Sequence, residues 1–273
     1  MREIGHLRHI WFEYTHSRSF TLIRKNFIVL LSALLLFSFS SCSGENEGNM
    51  SEKTIAVEIN SNSYLAAKTI ADEVKEIKTI STEDGAVALV ESKEADFVVL
   101  DEFKSNEYIE SKRKIEVVKS LNFTMDYCAY LHNNQELLNK FNAEIIALLQ
   151  DGTIKAIKDS YKTGETFYPE LQKLKENAPV LTVATDVVGF PYTDLTSNGA
   201  IAGIDIDILT IVANKLGYNL ELIVVPTDEA FSLLQKDEVD MVISGLTYEA
   251  ERDAVCDASI SYLSVEYYLH SRG

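Results

Sequence analysis

The chain has 273 residues, 46% hydrophobic and 25% charged, which is ordinary for a folded chain and long enough for one large unit or two lobes. Its formal net charge is −17. The first 41 residues hold five basic side chains (Arg2, Arg8, Arg18, Arg24, Lys25) against two acidic ones (Glu3, Glu13), so the remainder carries −20. Such a surface repels phosphate backbones and anionic lipid heads and excludes nucleic acid as an expected partner.

Residues 27–39 read FIVLLSALLLFSF, without a charge. The run is short for a bilayer span and has the length of a signal-peptide core. Arg24 and Lys25 stand just before it, on the side where positive charge stays in the cytoplasm. Phe39-Ser40-Ser41-Cys42 follows and resembles a bacterial lipobox, although Phe39 stands where Leu is usual. That resemblance implies a signal peptide over 1–41 and a diacylated Cys42, with the lipid bilayer as a partner. Residues 42–53 would be a tether, polar and flexible at 43–49. The alternative is an uncleaved anchor helix with an incidental cysteine. The two other cysteines, Cys128 and Cys256, have apolar neighbours and no motif spacing. They read as small buried hydrophobes, although export would permit a disulfide.

From residue 54 onward, strand and helix patterns alternate. Residues 54–58 (TIAVE) read as a strand. Ala66, Ile70, Val74 and Ile77 recur at helical spacing and predict one helix. Ala86, Leu89 and Val90 predict a short helix, and 97–100 (FVVL) a buried strand ending at Asp101. Residues 115–118 and 123–132 read as extended. Leu138, Phe141, Ile145, Leu148 and Leu149 form one apolar helical face, stopped by Asp151-Gly152, with a second helix over 154–161. Residues 162–178 read as a connector, with a helical stretch around 170–176. The alternation then resumes: strand 181–184, helix 207–216, strand 220–225, helix 228–235 and strand 240–243. Alternating short buried strands and helices predict parallel sheets, whose ligands lie beyond the carboxyl ends of the strands. Asp101, Asp186 and 244–247 fall at such ends.

No phosphate-binding glycine loop, nucleophile elbow or paired zinc-binding histidines are present. His132 and His270 lack neighbouring metal-ligand residues. They read as ordinary surface or satisfied histidines, so no cofactor or metal is expected.

Residues 181–272 resemble the first part of the bacterial extracellular solute-binding family that serves polar amino-acid ABC importers. Thr185-Asp186, Phe190-Pro191-Tyr192, the run 203–209 (GIDIDIL), the run 239–247 (VDMVISGLT) and Glu251-Arg252 carry the resemblance, in the family's order and spacing. Residues 54–163 resemble the family's later part, through 55–58 with Asn60-Ser61-Asn62, through 95–101 (ADFVVLD), and through 149–153 with the helix that follows. The order is therefore reversed, and the pieces are complementary. The resemblance implies an α/β, two-lobed periplasmic-binding-protein-like fold of type II, each lobe a mixed sheet flanked by helices, in circularly permuted order. The second lobe would span 54–125. A hinge strand and the return helices of the first lobe would span 126–163, and 164–178 would join the ancestral ends. The first lobe would span 179–273 and end in a hinge strand. A fragment of a tandem array is the competing reading.

The same resemblance implies a site for an amino acid. Arg252 would grip the carboxylate through paired hydrogen bonds. Ser244 would line the same loop, Gly245 would let the backbone approach, and Thr247 would add donors. Ser61 and Asn62 would close from the other lobe, and Asp101 would take the ammonium. Asp186 would contact the ligand or cap a turn, and Phe190 and Tyr192 would supply aromatic surface. From spacing alone, Arg252 could equally pair with Glu251, and Asp101 could cap a helix. Two departures stand out: Gly189 and Thr227 occupy positions where the family usually stacks aromatics on the ligand. The implied function is a non-enzymatic receptor that delivers its ligand to an ABC permease in the inner membrane. The alternatives are a sensing domain that acts through a membrane partner, and a periplasmic dehydratase of cyclic acids of the cyclohexadienyl type.

Overall fold

The chain builds two five-stranded sheets on one plan, three parallel strands followed by two antiparallel ones. The computed structural model describes residues 49–164 and 176–273. The leader, Cys42 and most of the connector lie outside the described residues. In the first half, β1 (Thr54–Glu58), β2 (Glu76–Ile80) and β3 (Phe97–Asp101) are parallel. β12 (Leu263–Ser271) lies antiparallel beside β3, and β4 (Glu116–Tyr127) beside β12, giving the order β2-β1-β3-β12-β4. In the second half, β6 (Val180–Thr185), β9 (Asn219–Val224) and β10 (Met241–Val242) are parallel. β5 (Tyr130–Leu131) and β11 (Asp257–Ala258) complete the order β11-β5-β10-β6-β9.

Among the described residues, the chain crosses between the sheets at two places. One crossing runs from β4 to β5, the other from β11 to β12. They lie side by side, with Tyr127 opposite Leu263 and Thr124 opposite Glu266. Each sheet thus takes strands from widely separated parts of the sequence.

The helices follow their capping residues. Ser61 caps α1 (Asn62–Lys68), Thr82 caps α2 (Glu83–Glu91), Asp101 caps α3 (Glu102–Glu110) and Asn134 caps α4 (Gln135–Gln150), each with a side-chain oxygen on an early backbone N–H. Gly152, with φ +82°, turns the chain from α4 into α5 (Thr153–Lys162). α6 (Ile204–Leu216) ends at Gly217, again left-handed, and α7 (Thr227–Gln235) follows β9. A hairpin of β7 (Asp194–Leu195) and β8 (Ile201–Ala202) precedes α6.

One expectation is corrected. The helix read through Ala66, Ile70, Val74 and Ile77 stops at Lys68, a short 3-10 turn follows at Ala71–Glu73, and Ile77 lies in β2. Glu76-Ile77-Lys78-Thr79-Ile80 pairs in parallel with all five residues of β1, and that ladder outweighs helical spacing.

The apolar faces account for the packing. Leu138, Phe141, Ile145 and Leu148 of α4 are at most 6% exposed and join Leu181, Ile208 and Val212 of the β6–α6 region in one core cluster. Burying each such side chain contributes roughly 1.5–3 kcal/mol. Smaller clusters fill the outer faces. Ala86, Val87, Val98 and Leu100 serve the first sheet; Ala230, Leu234, Val242, Cys128 and Cys256 serve the second. Both cysteines are free thiols. Among the described residues, no helix is long and apolar enough to cross a membrane.

Candidate functional site

The loops beyond the carboxyl ends of the parallel strands hold most of the residues singled out from the sequence. After β1, Ser61 is spent on local structure: its Oγ accepts from Tyr64 N–H at 3.1 Å and donates to the Glu58 carbonyl at 2.8 Å. Asn62, the first residue of α1, donates to the Tyr127 hydroxyl at 3.4 Å. After β3, Asp101 accepts from Phe103 N–H at 2.8 Å and Lys104 N–H at 2.9 Å, both on Oδ1. Asp101 is thus a helix cap. Burial raises its pKa, opposed by those two backbone bonds. Glu83, which the sequence reading did not single out, begins α2 at the same edge of the sheet. Burial, then the charge of Asp101, pushes it up to about 7.

In the other half, Asp186 follows β6 and is fully engaged. Oδ1 accepts from Val187 N–H at 2.7 Å, and Oδ2 accepts from Thr227 N–H at 2.9 Å and its hydroxyl at 3.0 Å. It therefore ties the β6 loop to the start of α7. Ser244, buried, accepts the Asp186 N–H at 2.9 Å. Gly245 has φ +58°, and a Cβ there would lie 3.2 Å from Tyr192. Its N–H does not face a ligand but donates to Asp205 Oδ2 at 2.5 Å. Asp205 is fully buried and also accepts the Tyr262 hydroxyl at 2.8 Å. Burial pushes its pKa up to about 7, against the pull of those two donors. Asp207, two residues on, holds the Tyr161 hydroxyl at 2.9 Å.

The two halves meet on Tyr127, at the end of β4. Tyr192 stacks on it with ring centroids 4.6 Å apart and hydroxyls 2.7 Å apart. Thr247 bridges to Tyr127 through the backbone, and Asn62 reaches its hydroxyl. Burial, with Asp101 nearby, pushes the Tyr127 hydroxyl up to about 12. Asn62, Asp101, Thr247 and Tyr192 are thus gathered around one tyrosine that sequence reading placed only within an extended segment, with Gly245 behind Tyr192. Arg252 lies one step outward. Its guanidinium sits 4.6 Å over the Phe231 ring and 5.2 Å over Tyr130, pairs with Glu249 at 3.1 Å, and reaches the Thr247 carbonyl at 3.5 Å. Phe190 packs instead on Tyr161, 6.0 Å between centroids, beside a groove lined by Pro191, Leu195 and Thr196.

His132 bonds Asp237 at 2.9 Å. His270 is buried against Ser105 at 2.7 Å, where burial pulls it down to about 4. Among the described residues, no group of three His, Cys, Asp or Glu side chains could hold a metal.

The segment that contributes Asp186, Tyr192, Ser244, Gly245, Thr247 and Arg252 to this arrangement has a recognised sequence profile. Residues 181–272 match the bacterial extracellular solute-binding proteins, family 3. A probable histidine-binding protein of Neisseria gonorrhoeae is 29% identical over 86 residues, 32% of each chain. The chain therefore spans about a third of the length of that curated relative. Similar solved structures include the second substrate binding domain of a putative amino acid ABC transporter from Streptococcus pneumoniae. It is 11% identical, with 81% of this chain and 85% of that one covered and a TM-score of 0.48. Substrate binding domain 2 of GlnP from Lactococcus lactis is 10% identical, with 81% of each chain covered and a TM-score of 0.45. The matched segment holds one side of the arrangement. Asn62, Asp101 and Tyr127 come from outside it.

Proposed function

We propose that this chain is an extracytoplasmic solute-binding protein that captures an amino acid between its two halves and delivers it to an ABC permease. The observation that carries this reading is the convergence on Tyr127 of polar side chains from both halves, beside the paired crossings of β4 and β12. The match over residues 181–272 and the likeness to a probable histidine-binding protein of Neisseria support the ligand class. In this reading Arg252 takes the carboxylate and Asp101 the ammonium, with Asn62, Thr247 and Tyr192 completing the enclosure. Ser61, Asp186, Ser244 and Gly245 shape its loops, and Phe190 packs behind them. Calorimetry against the standard amino acids should find at least one binder, and Arg252→Ala should remove about 2–5 kcal/mol of binding. Unchanged affinity in that variant refutes the carboxylate assignment; no binder among them refutes the ligand class.

The halves are read as circularly permuted relative to the family, with 54–125 as the second lobe and 179–273 as the first. Two features favour this over a tandem fragment. Each sheet draws strands from both parts of the chain, and the apolar face of α4 is buried with α6. A lipid anchor at Cys42 is read from the leader alone. Cys42→Ser should release the protein from membranes or leave it unprocessed, whereas membrane retention with an intact N-terminus would favour an anchor helix.

A further inference from the structure

The first turn of α3 carries consecutive side chains with different partners. Asp101 caps the helix, and Phe103 meets Tyr192 of the other half edge-on at 6.4 Å. Glu102, between them, is 4% exposed. Its carboxylate takes the ammonium of Lys158 at 2.5 Å, the ammonium of Lys162, and the Glu266 N–H of β12 at 3.1 Å. Both lysines lie on α5, which belongs to the opposite half. Ile154 and Ile157 of α5 are buried in the shared core, and Tyr161 bonds Asp207 of α6. Lys158 also donates to the Ser264 carbonyl at 2.6 Å.

Among the ion pairs of the described residues, this cluster has the most buried carboxylate. Lys140–Glu136 and Lys155–Asp159 are exposed pairs within one helix, a kind that contributes little to stability. Glu102 is a buried carboxylate, which is tolerated only with close cations and donors around it. Here those partners come from the other half and from the β12 crossing, and one peptide bond separates Glu102 from Asp101. A shift of α5 relative to the first sheet therefore moves the cap.

We propose that Glu102, held by Lys158 and Lys162, is a positioning residue that fixes Asp101 and the first turn of α3 against the opposite half. Its meaning for binding rests on Asp101 being a ligand residue; the positioning itself does not. The test is amide hydrogen exchange by NMR on the whole chain, with Glu102→Gln and the double variant Lys158→Met, Lys162→Met. Exchange of the Phe103 and Lys104 amides, which Asp101 holds, should rise by roughly tenfold or more, while the Val183 and Ala184 amides of β6 stay near wild type. Lys158→Arg with Lys162→Arg, which keeps both charges, should restore protection. Affinity for the best-binding standard amino acid should fall by a similar factor. Unchanged exchange at Phe103 and Lys104, or a rise shared equally by β6, overturns the proposal. If the wild type binds none of the amino acids, the binding arm counts against the amino-acid reading, and exchange still decides the positioning. Should Glu102→Gln fail to fold, Lys158→Met and Lys162→Met singly, each leaving one cation, give the same readout.

Discussion

Asp205 is an ionisable group enclosed among apolar neighbours, and its effect on stability can be worked out. The carboxyl is fully buried, accepts the Gly245 N–H and the Tyr262 hydroxyl, and burial raises it from 3.8 to about 7. A folded-state pKa above the unfolded one means that the folded protein prefers the neutral acid. The stabilisation is fully present below the unfolded pKa and is lost as pH rises through the folded one. At about 1.4 kcal/mol per pH unit, the loss between pH 5 and pH 8 amounts to about 3 kcal/mol. Asp205→Asn removes the titration while keeping the shape. The amide oxygen accepts the Gly245 N–H, and the amide NH2 donates to the Tyr262 hydroxyl, which both donates and accepts. Urea unfolding followed by circular dichroism, on wild type and variant at both pH values, tests this. The variant's stability relative to wild type should improve by about 3 kcal/mol on going from pH 5 to pH 8. A difference that does not change with pH would refute the buried-carboxylate account.

Two further outcomes follow from packing. Phe141 is fully buried in the cluster that joins α4 to the second sheet, so Phe141→Ala should cost about 3–5 kcal/mol in urea unfolding; a loss under about 1 kcal/mol would show that this face is not packed. Burial pushes the Cys128 thiol up to about 11 and raises Cys256 as well, so iodoacetamide at pH 8 should leave both intact until the protein is unfolded. Rapid labelling of the native chain would contradict their burial.

Much of the local structure is legible in the residues alone. FVVL before Asp101, the apolar face through Leu138 and Phe141, and Gly217 after Leu216 mark their elements because backbone preference and burial periodicity act over a few residues. The loops at the strand ends are legible for the same reason. The stretch through Val74 and Ile77 was misread because a five-residue strand is held by its neighbour, and its pairing with β1 is not visible in a local pattern.

By itself the sequence determined the alternation of strands and helices, the apolar face of α4 through Leu138, Phe141, Ile145 and Leu148, and which strand-end loops carry polar groups, while α3 and the exposure of Leu149 escaped it. Tertiary structure alone decided what those groups face. For Asp101 and Asp186 the sequence left both a ligand contact and a cap open, and the fold ties both to the backbone of helix starts. Tyr127 is an unremarkable aromatic in the chain, yet it meets Asn62 and Tyr192, each 65 residues away, while Glu102 is held by β12 across 164. Periodicity reports that a side chain leaves water, but not against what. The partner is set by which strands lie side by side, and that follows from packing of the whole chain.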